Sequence, residues 1–117
     1  MRHIEENTQI ACVRWFNLQY PEYRGLLYAV PNGGARNKVE AAKLKAEGVV
    51  AGVADLILAI PRNGFGCLCI EMKTDKGRQS ESQKLWQRQT EKHGNKYVVC
   101  RDFMEFKTEI ENYLKQQ

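Results

Sequence analysis

Two acidic side chains and an ammonium carry the sharpest chemical signal in this 117-residue chain. The apolar runs 53–60 and 67–73 flank Pro61-Arg62-Asn63-Gly64-Phe65, and two such runs around a turn signal read as a β-hairpin. In an antiparallel pair, residues equidistant from the turn centre oppose one another. With the turn centred on Asn63, Asp55 lies opposite Glu71, and directly opposed residues hold their Cβ atoms about 5 Å apart. Two carboxylates at that separation repel. A shared divalent cation resolves the conflict, because Mg²⁺ takes oxygen ligands, typically one or two carboxylates plus waters. Lys73 stands two residues after Glu71 and shares its face of the strand, while Leu68, Ile70 and Met72 point the other way, into packing. A metal-binding acid beside an ammonium that orients water or stabilises a pentavalent phosphate is the equipment for attack on a phosphate ester. An ordinary Glu–Lys pair at a solvated strand end uses the same residues. Register decides between them, since a one-residue slip turns Glu71 to the opposite face.

Other residues join this nucleus less directly. Glu5 and Gln9 stand one helical turn apart, and the row continues to Cys12, Val13 and Phe16. Such a row can aim polar groups at a site beside a sheet, although acids in a first turn are also favoured there by the helix dipole. Gln83 either points its amide toward a metal-bound water or closes the capping box Ser80-x-x-Gln83. Asn32-Gly33-Gly34-x-Arg36 is a turn followed by an arginine, which either faces solvent or, with the exposed amides, holds a phosphate. Lys76, Arg78, Lys84 and Arg88 can extend a basic rim. Trp15 and Trp86 read as core rather than as stacking platforms, and His3 and His93 have no catalytic partners.

The elements that must position these groups follow from periodicity and breakers. Residues 5–19 read as a helix with Ile10, Val13 and Phe16 on its apolar face, and Pro21 and Gly25 break the pattern. Residues 26–30 form a short strand ended by Pro31-Asn32-Gly33-Gly34. Asn37-x-x-Glu40 caps a helix that stops at Gly48. After the hairpin, Ser80 starts a helix running to His93, residues 97–100 form a strand, and Asp102-x-x-Glu105 opens a last helix with Phe103, Phe106, Ile110 and Leu114 at helical spacing. The order α-β-α-β-β-α-β-α with one hairpin implies an α/β fold, a small mixed β-sheet flanked by helices. With no repeat, low-complexity tract or linker, residues 1–117 read as one domain.

Composition agrees. Hydrophobic residues make up 43% and charged residues 27%, which is globular and argues against disorder. No apolar run approaches the ~18 residues of a membrane helix, and MRHIEENTQ lacks the apolar stretch of a secretory signal. The 18 basic against 14 acidic side chains leave +4, which suits a polyanionic partner. Cys12, Cys67, Cys69 and Cys100 form no Cys-x-x-Cys pair, so free thiols in a reducing compartment are expected rather than zinc ligands.

Taken in order, Glu5-x-x-x-Gln9, Asn32-Gly33-Gly34-x-Arg36, Gly48-x-x-x-Gly52-x-x-Asp55, Glu71-x-Lys73 and Ser80-x-x-Gln83 resemble the VRR-NUC (viral replication and repair nuclease) domain of the PD-(D/E)XK superfamily. The resemblance runs from the first helix to Ile110-x-x-Tyr113-Leu114. It implies a restriction-endonuclease-like core in which Asp55 and Glu71 are metal-binding acids and Lys73 is the catalytic lysine. Glu5 would complete the metal site, and Gln83 would be the polar residue on the helix after the hairpin. Gln9 and Arg36 match positions of less defined role, assigned with Lys76 and Arg78 to nucleic-acid contact. Ala54 departs from the family's frequent Pro before the aspartate. The resemblance further implies Mg²⁺ or Mn²⁺ as cofactor, no organic cofactor, and DNA as substrate, branched and including four-way (Holliday) junctions. It also implies a stand-alone phage or bacterial type, a homodimer, and work in the cytoplasm of a bacterial or phage-infected cell. Two rivals need no catalysis: a nucleic-acid-binding module using the same basic surface, and a metal-free interaction protein.

Overall fold

The computed structural model of the chain describes residues 2–31 and 37–115. Asn32-Gly33-Gly34-x-Arg36, including the phosphate-contact assignment of Arg36, lies outside the described residues. The first helix, α1 (Arg2–Gln19), gives way to a 3-10 turn at Pro21–Tyr23, as expected from a proline that cannot continue the helix. Strand β1 (Leu27–Ala29) follows, and then α2 (Lys38–Ala46). Asn37 Oδ1 accepts the Glu40 N–H at 2.8 Å at the start of α2. At its end Gly48, with φ +104, donates to Lys45 O while Val49 donates to Leu44 O, both at 3.0 Å. That is a Schellman closure, in which a left-handed glycine satisfies the last carbonyls.

The hairpin forms from β2 (Leu56–Leu58) and β3 (Leu68–Met72). Both strands are shorter than their apolar runs. Between them Arg62 and Phe65 exchange two backbone hydrogen bonds, and Asn63 and Gly64 both take positive φ, 49° and 84°. This is the Asn-Gly turn whose twist matches a hairpin. It is centred half a residue beyond Asn63. One extra residue on the exit from β2, between Leu58 and Arg62, restores the register Leu56↔Ile70, Ile57↔Cys69, Leu58↔Leu68. The predicted opposition therefore holds, but only because the ladder is bulged.

Ser80 and Gln83 make the full capping box of α3 (Glu81–Lys92), and β4 (Lys96–Cys100) and α4 (Phe103–Lys115) complete the chain. Glu105 N–H donates to Asp102 Oδ1 at 2.8 Å to open α4. The sheet order is β1-β2-β3-β4, antiparallel except for the parallel pair β3–β4. The mixed α/β architecture and the element order predicted from sequence are both present, with the 3-10 turn added.

Each sheet face has its own cover. On one, Leu56, Leu58, Leu68, Ile70, Met72 and Cys100 pack against Cys12 and Phe16 of α1 and Phe106, Ile110 and Tyr113 of α4. On the other, Ile57, Cys69 and Tyr97 meet Trp86 of α3. Of the apolar face expected on α1, Phe16 is buried and Val13 packs against the core, as does Cys12, but Ile10 is 55% exposed. Trp15 and Trp86 are partly buried against the two cores, and all four cysteines are free.

Candidate active site

The strand ladder builds the site. One rung beyond Leu56↔Ile70, Asp55 stands opposite Glu71. The backbone of Asp55 is pinned by Val30 N–H, which donates to its carbonyl at 2.8 Å, and its Oδ2 accepts the Met72 N–H at 2.7 Å. Lys73 leaves β3 with its own N–H donated to Cys100 O at 3.0 Å. Glu71 and Lys73 share a face as the pleat requires, and Lys73 Nζ lies 3.2 Å from Glu71 Oε2.

Glycine brings the next element in. Gly52 has φ +87, and a Cβ there would lie 2.3 Å from Ser82 O and 2.8 Å from Gln83 N. Only glycine lets the loop before Asp55 touch the backbone at the start of α3. Gln83 is thus close to the hairpin, but its Oε1 accepts Ser80 N–H at 2.7 Å. The capping half of its double reading is what the structure contains.

Glu5 and Gln9 reach the site from α1. A cleft of about 800 Å³ is lined by Glu5, Glu6, Gln9 and Asp55 together with the end of β1. Burial raises the Asp55 carboxyl above its ordinary pKa. The Met72 N–H opposes the rise, while the Glu71 and Glu5 carboxylates add to it. Glu71 lies deeper, 1% exposed. Its Oε1 accepts from the Tyr97 hydroxyl. Its Oε2 is charge-paired with Lys73 yet accepts no hydrogen bond. Lys76 and Arg78 are exposed or nearly so, on the loop after Lys73. Lys84 pairs with Glu81 at 3.6 Å instead of standing free.

The donors suit a hard divalent cation. Among the described residues no three His, Cys, Asp or Glu side chains form a ready-made cage. Mg²⁺ does not need one, since it is held by one or two carboxylates and completes its octahedron with waters and substrate phosphate. Asp55 and Glu71 meet that need, and the buried Glu71 Oε2 accepts no hydrogen bond, though the Lys73 ammonium lies beside it.

The family model of the VRR-NUC domain matches residues 3–104. The chain belongs to the VRR-NUC family. The matched span contains Glu5, Gln9, Asp55, Glu71, Lys73 and Gln83, and stops as α4 begins. A solved VRR_NUC domain protein is 28% identical with a TM-score of 0.81, the alignment covering 96% of this chain and 88% of that one. A second solved VRR_NUC domain shares the fold at 18% identity and a TM-score of 0.56, over 88% of this chain and 94% of that one. No curated protein matches the chain. VRR-NUC is a nuclease-type family, consistent with the PD-(D/E)XK-like sheet, and its members' substrates are nucleic acids.

Three residues around the candidate site escape sequence reasoning. Tyr97 and Gln79 contact Glu71 directly and through one another. Arg101 Nη1 donates to Thr74 O at 2.7 Å and Gly77 O at 2.8 Å, clamping the loop that carries Lys76. All three depend on the parallel β3–β4 pairing, which no local pattern reports. A tyrosine near the start of the strand after α3 is the one signal the sequence offers.

Proposed function

We propose that this VRR-NUC protein is a Mg²⁺- or Mn²⁺-dependent DNA endonuclease that hydrolyses phosphodiester bonds. The observation that supports this best is the opposition of Asp55 and Glu71 across β2–β3 with Lys73 Nζ 3.2 Å from Glu71. When bound, the divalent ion supplies positive charge that polarises the scissile phosphate and makes water more acidic. Asp55 and Glu71 hold it, and Glu5 completes the acidic wall of the cleft. Lys73 would donate to the attacking water or to the phosphate oxygens on which negative charge develops, and in-line attack forms a P–O bond to the water oxygen as the P–O bond to the leaving sugar oxygen breaks. Gln83, its carbonyl oxygen kept in the α3 cap, would assist through its amide nitrogen. Gln9, Arg36, Lys76 and Arg78 contact the nucleic-acid backbone. The substrate is branched DNA, including four-way junctions, cut by a two-fold dimer whose symmetry matches two equivalent strands. The setting is the cytoplasm of a bacterial or phage-infected cell.

Gel assays on linear, flap and four-way DNA, with and without Mg²⁺ or Mn²⁺, test this. The parent is expected to cut only with metal, whereas Asp55→Asn and Lys73→Ala bind DNA and cut at least a hundredfold more slowly. Cleavage by Asp55→Asn at the parent rate overturns the assignment. DNA binding without cleavage in either metal replaces it with a non-catalytic nucleic-acid-binding module.

A further inference from the structure

Glu71 is held by a directional chain of hydrogen bonds that begins on the surface of α3. Glu91 there has a carboxylate that can only accept, so Gln87 must turn its amide nitrogen toward it, and Gln87 Nε2 donates to Glu91 Oε2 at 3.2 Å. Gln87 then presents its carbonyl oxygen to the other side, where Gln79 Nε2 donates to it at 2.9 Å. The same Gln79 nitrogen donates to the Tyr97 hydroxyl at 3.2 Å. The tyrosine oxygen is an acceptor in that bond, so its proton is free to go elsewhere, and it goes to Glu71 Oε1. The ring cannot swing away: it is 7% exposed and packed on Trp86, with centroids 6.1 Å apart.

The two oxygens of Glu71 thereby take different work. Oε1 is committed to Tyr97, and Oε2, with no hydrogen bond, faces the Lys73 ammonium. We infer that Tyr97 is a positioning residue that locks the Glu71 carboxylate so that Oε2 alone is offered to the divalent cation, with Gln79 orienting the Tyr97 hydroxyl. This rests on the metal-dependent nuclease reading and deepens it. Partners that orient a ligating side chain typically change metal affinity by about 10–100-fold when removed.

The experiment is a Mn²⁺ titration of DNA-free protein, followed by the electron paramagnetic resonance of free Mn²⁺, on the parent, Tyr97→Phe and Gln79→Leu. Urea unfolding runs alongside, and cleavage is measured against Mn²⁺ concentration. Tyr97→Phe is expected to bind Mn²⁺ about tenfold more weakly. Its cleavage should need correspondingly more metal and recover most of the parent rate at saturation. Gln79→Leu, which keeps the tyrosine, shows a smaller loss in the same direction. A folded Tyr97→Phe that binds Mn²⁺ as the parent does overturns the inference while leaving the nuclease reading intact. If Tyr97→Phe does not fold, Gln79→Leu decides, and unchanged Mn²⁺ binding there overturns it. A parent that neither binds Mn²⁺ nor cuts removes the nuclease reading and this inference together.

Discussion

Asp55 shows what a site of this kind costs its own fold. Its carboxyl is buried beside the Glu71 and Glu5 carboxylates, and its pKa is raised. The folded state therefore holds that proton more tightly than the unfolded chain. The stability this contributes is complete below the ordinary carboxylate pKa of about 4 and is lost as pH rises through the raised value. At neutral pH the ionised Asp55 is a net strain, eased only in part by the Met72 N–H. Asp55→Asn keeps an acceptor for that N–H and removes the charge. It is expected to stabilise the protein by about 1 kcal/mol at pH 7, raising the melting temperature by about 3–6 °C, with the gain shrinking toward pH 4. Added Mg²⁺ should raise the parent's melting point and leave the variant's in place. A variant that melts below the parent at pH 7 contradicts this account. Asp55, Glu71 and Lys73 were legible in the sequence because a hairpin is a local object, although counting from Asn63 found the opposed pair only because the bulge before Arg62 offsets a turn centred half a residue later. The partners of Glu71 were not, because Tyr97 reaches it only after the chain has crossed over through α3.

Among the elements, the loop from Gly48 to Gly52 separates two uses of the same residue type. Both glycines have positive φ, but a Cβ at Gly48 meets nothing within 4 Å, whereas at Gly52 it meets the backbone of Ser82 and Gln83. Gly48→Ala should cost only the conformational strain, about 1 kcal/mol. Gly52→Ala adds a clash that no rotamer relieves, so about 2–4 kcal/mol is expected, together with slower cleavage as Asp55 and α3 part. Urea unfolding of both variants checks the order, and equal losses would show that the close approach does not matter. The helix starts at Asn37, Ser80 and Asp102 were readable because a cap is a short-range hydrogen bond between residues three apart. Strand ends were not. Strand length is set by where neighbours stop pairing, so the apolar runs 53–60 and 67–73 overreach β2 and β3. The bulge that restores their register has no signature of its own.

For the molecule as a whole, the modest +4 charge matters less than where the cations lie. Lys76 and Arg78 ride a loop clamped by Arg101 beside Lys73, so they approach a substrate as part of a fixed rim. Each phosphate neutralised releases counterions and adds about 0.9 to the slope of log affinity against log salt. In a cleavage-dead Asp55→Asn background, replacing both Lys76 and Arg78 by alanine should lower that slope by about 2. An unchanged slope removes this loop from the interface. The mixed sheet and its order were readable at this scale, but which helix covers which face was not, and the exposed Ile10 shows the error that results.

The pairing of the first and last helices on one sheet face has a consequence for synthesis. Cys12 and Phe16 of α1 find their cover in Phe106, Ile110 and Tyr113 of α4, which the ribosome makes only after every strand of the sheet. Until then α1, and Glu5 with it, has no complete surface to settle on, so in a half-made chain the proposed metal site lacks its α1 wall.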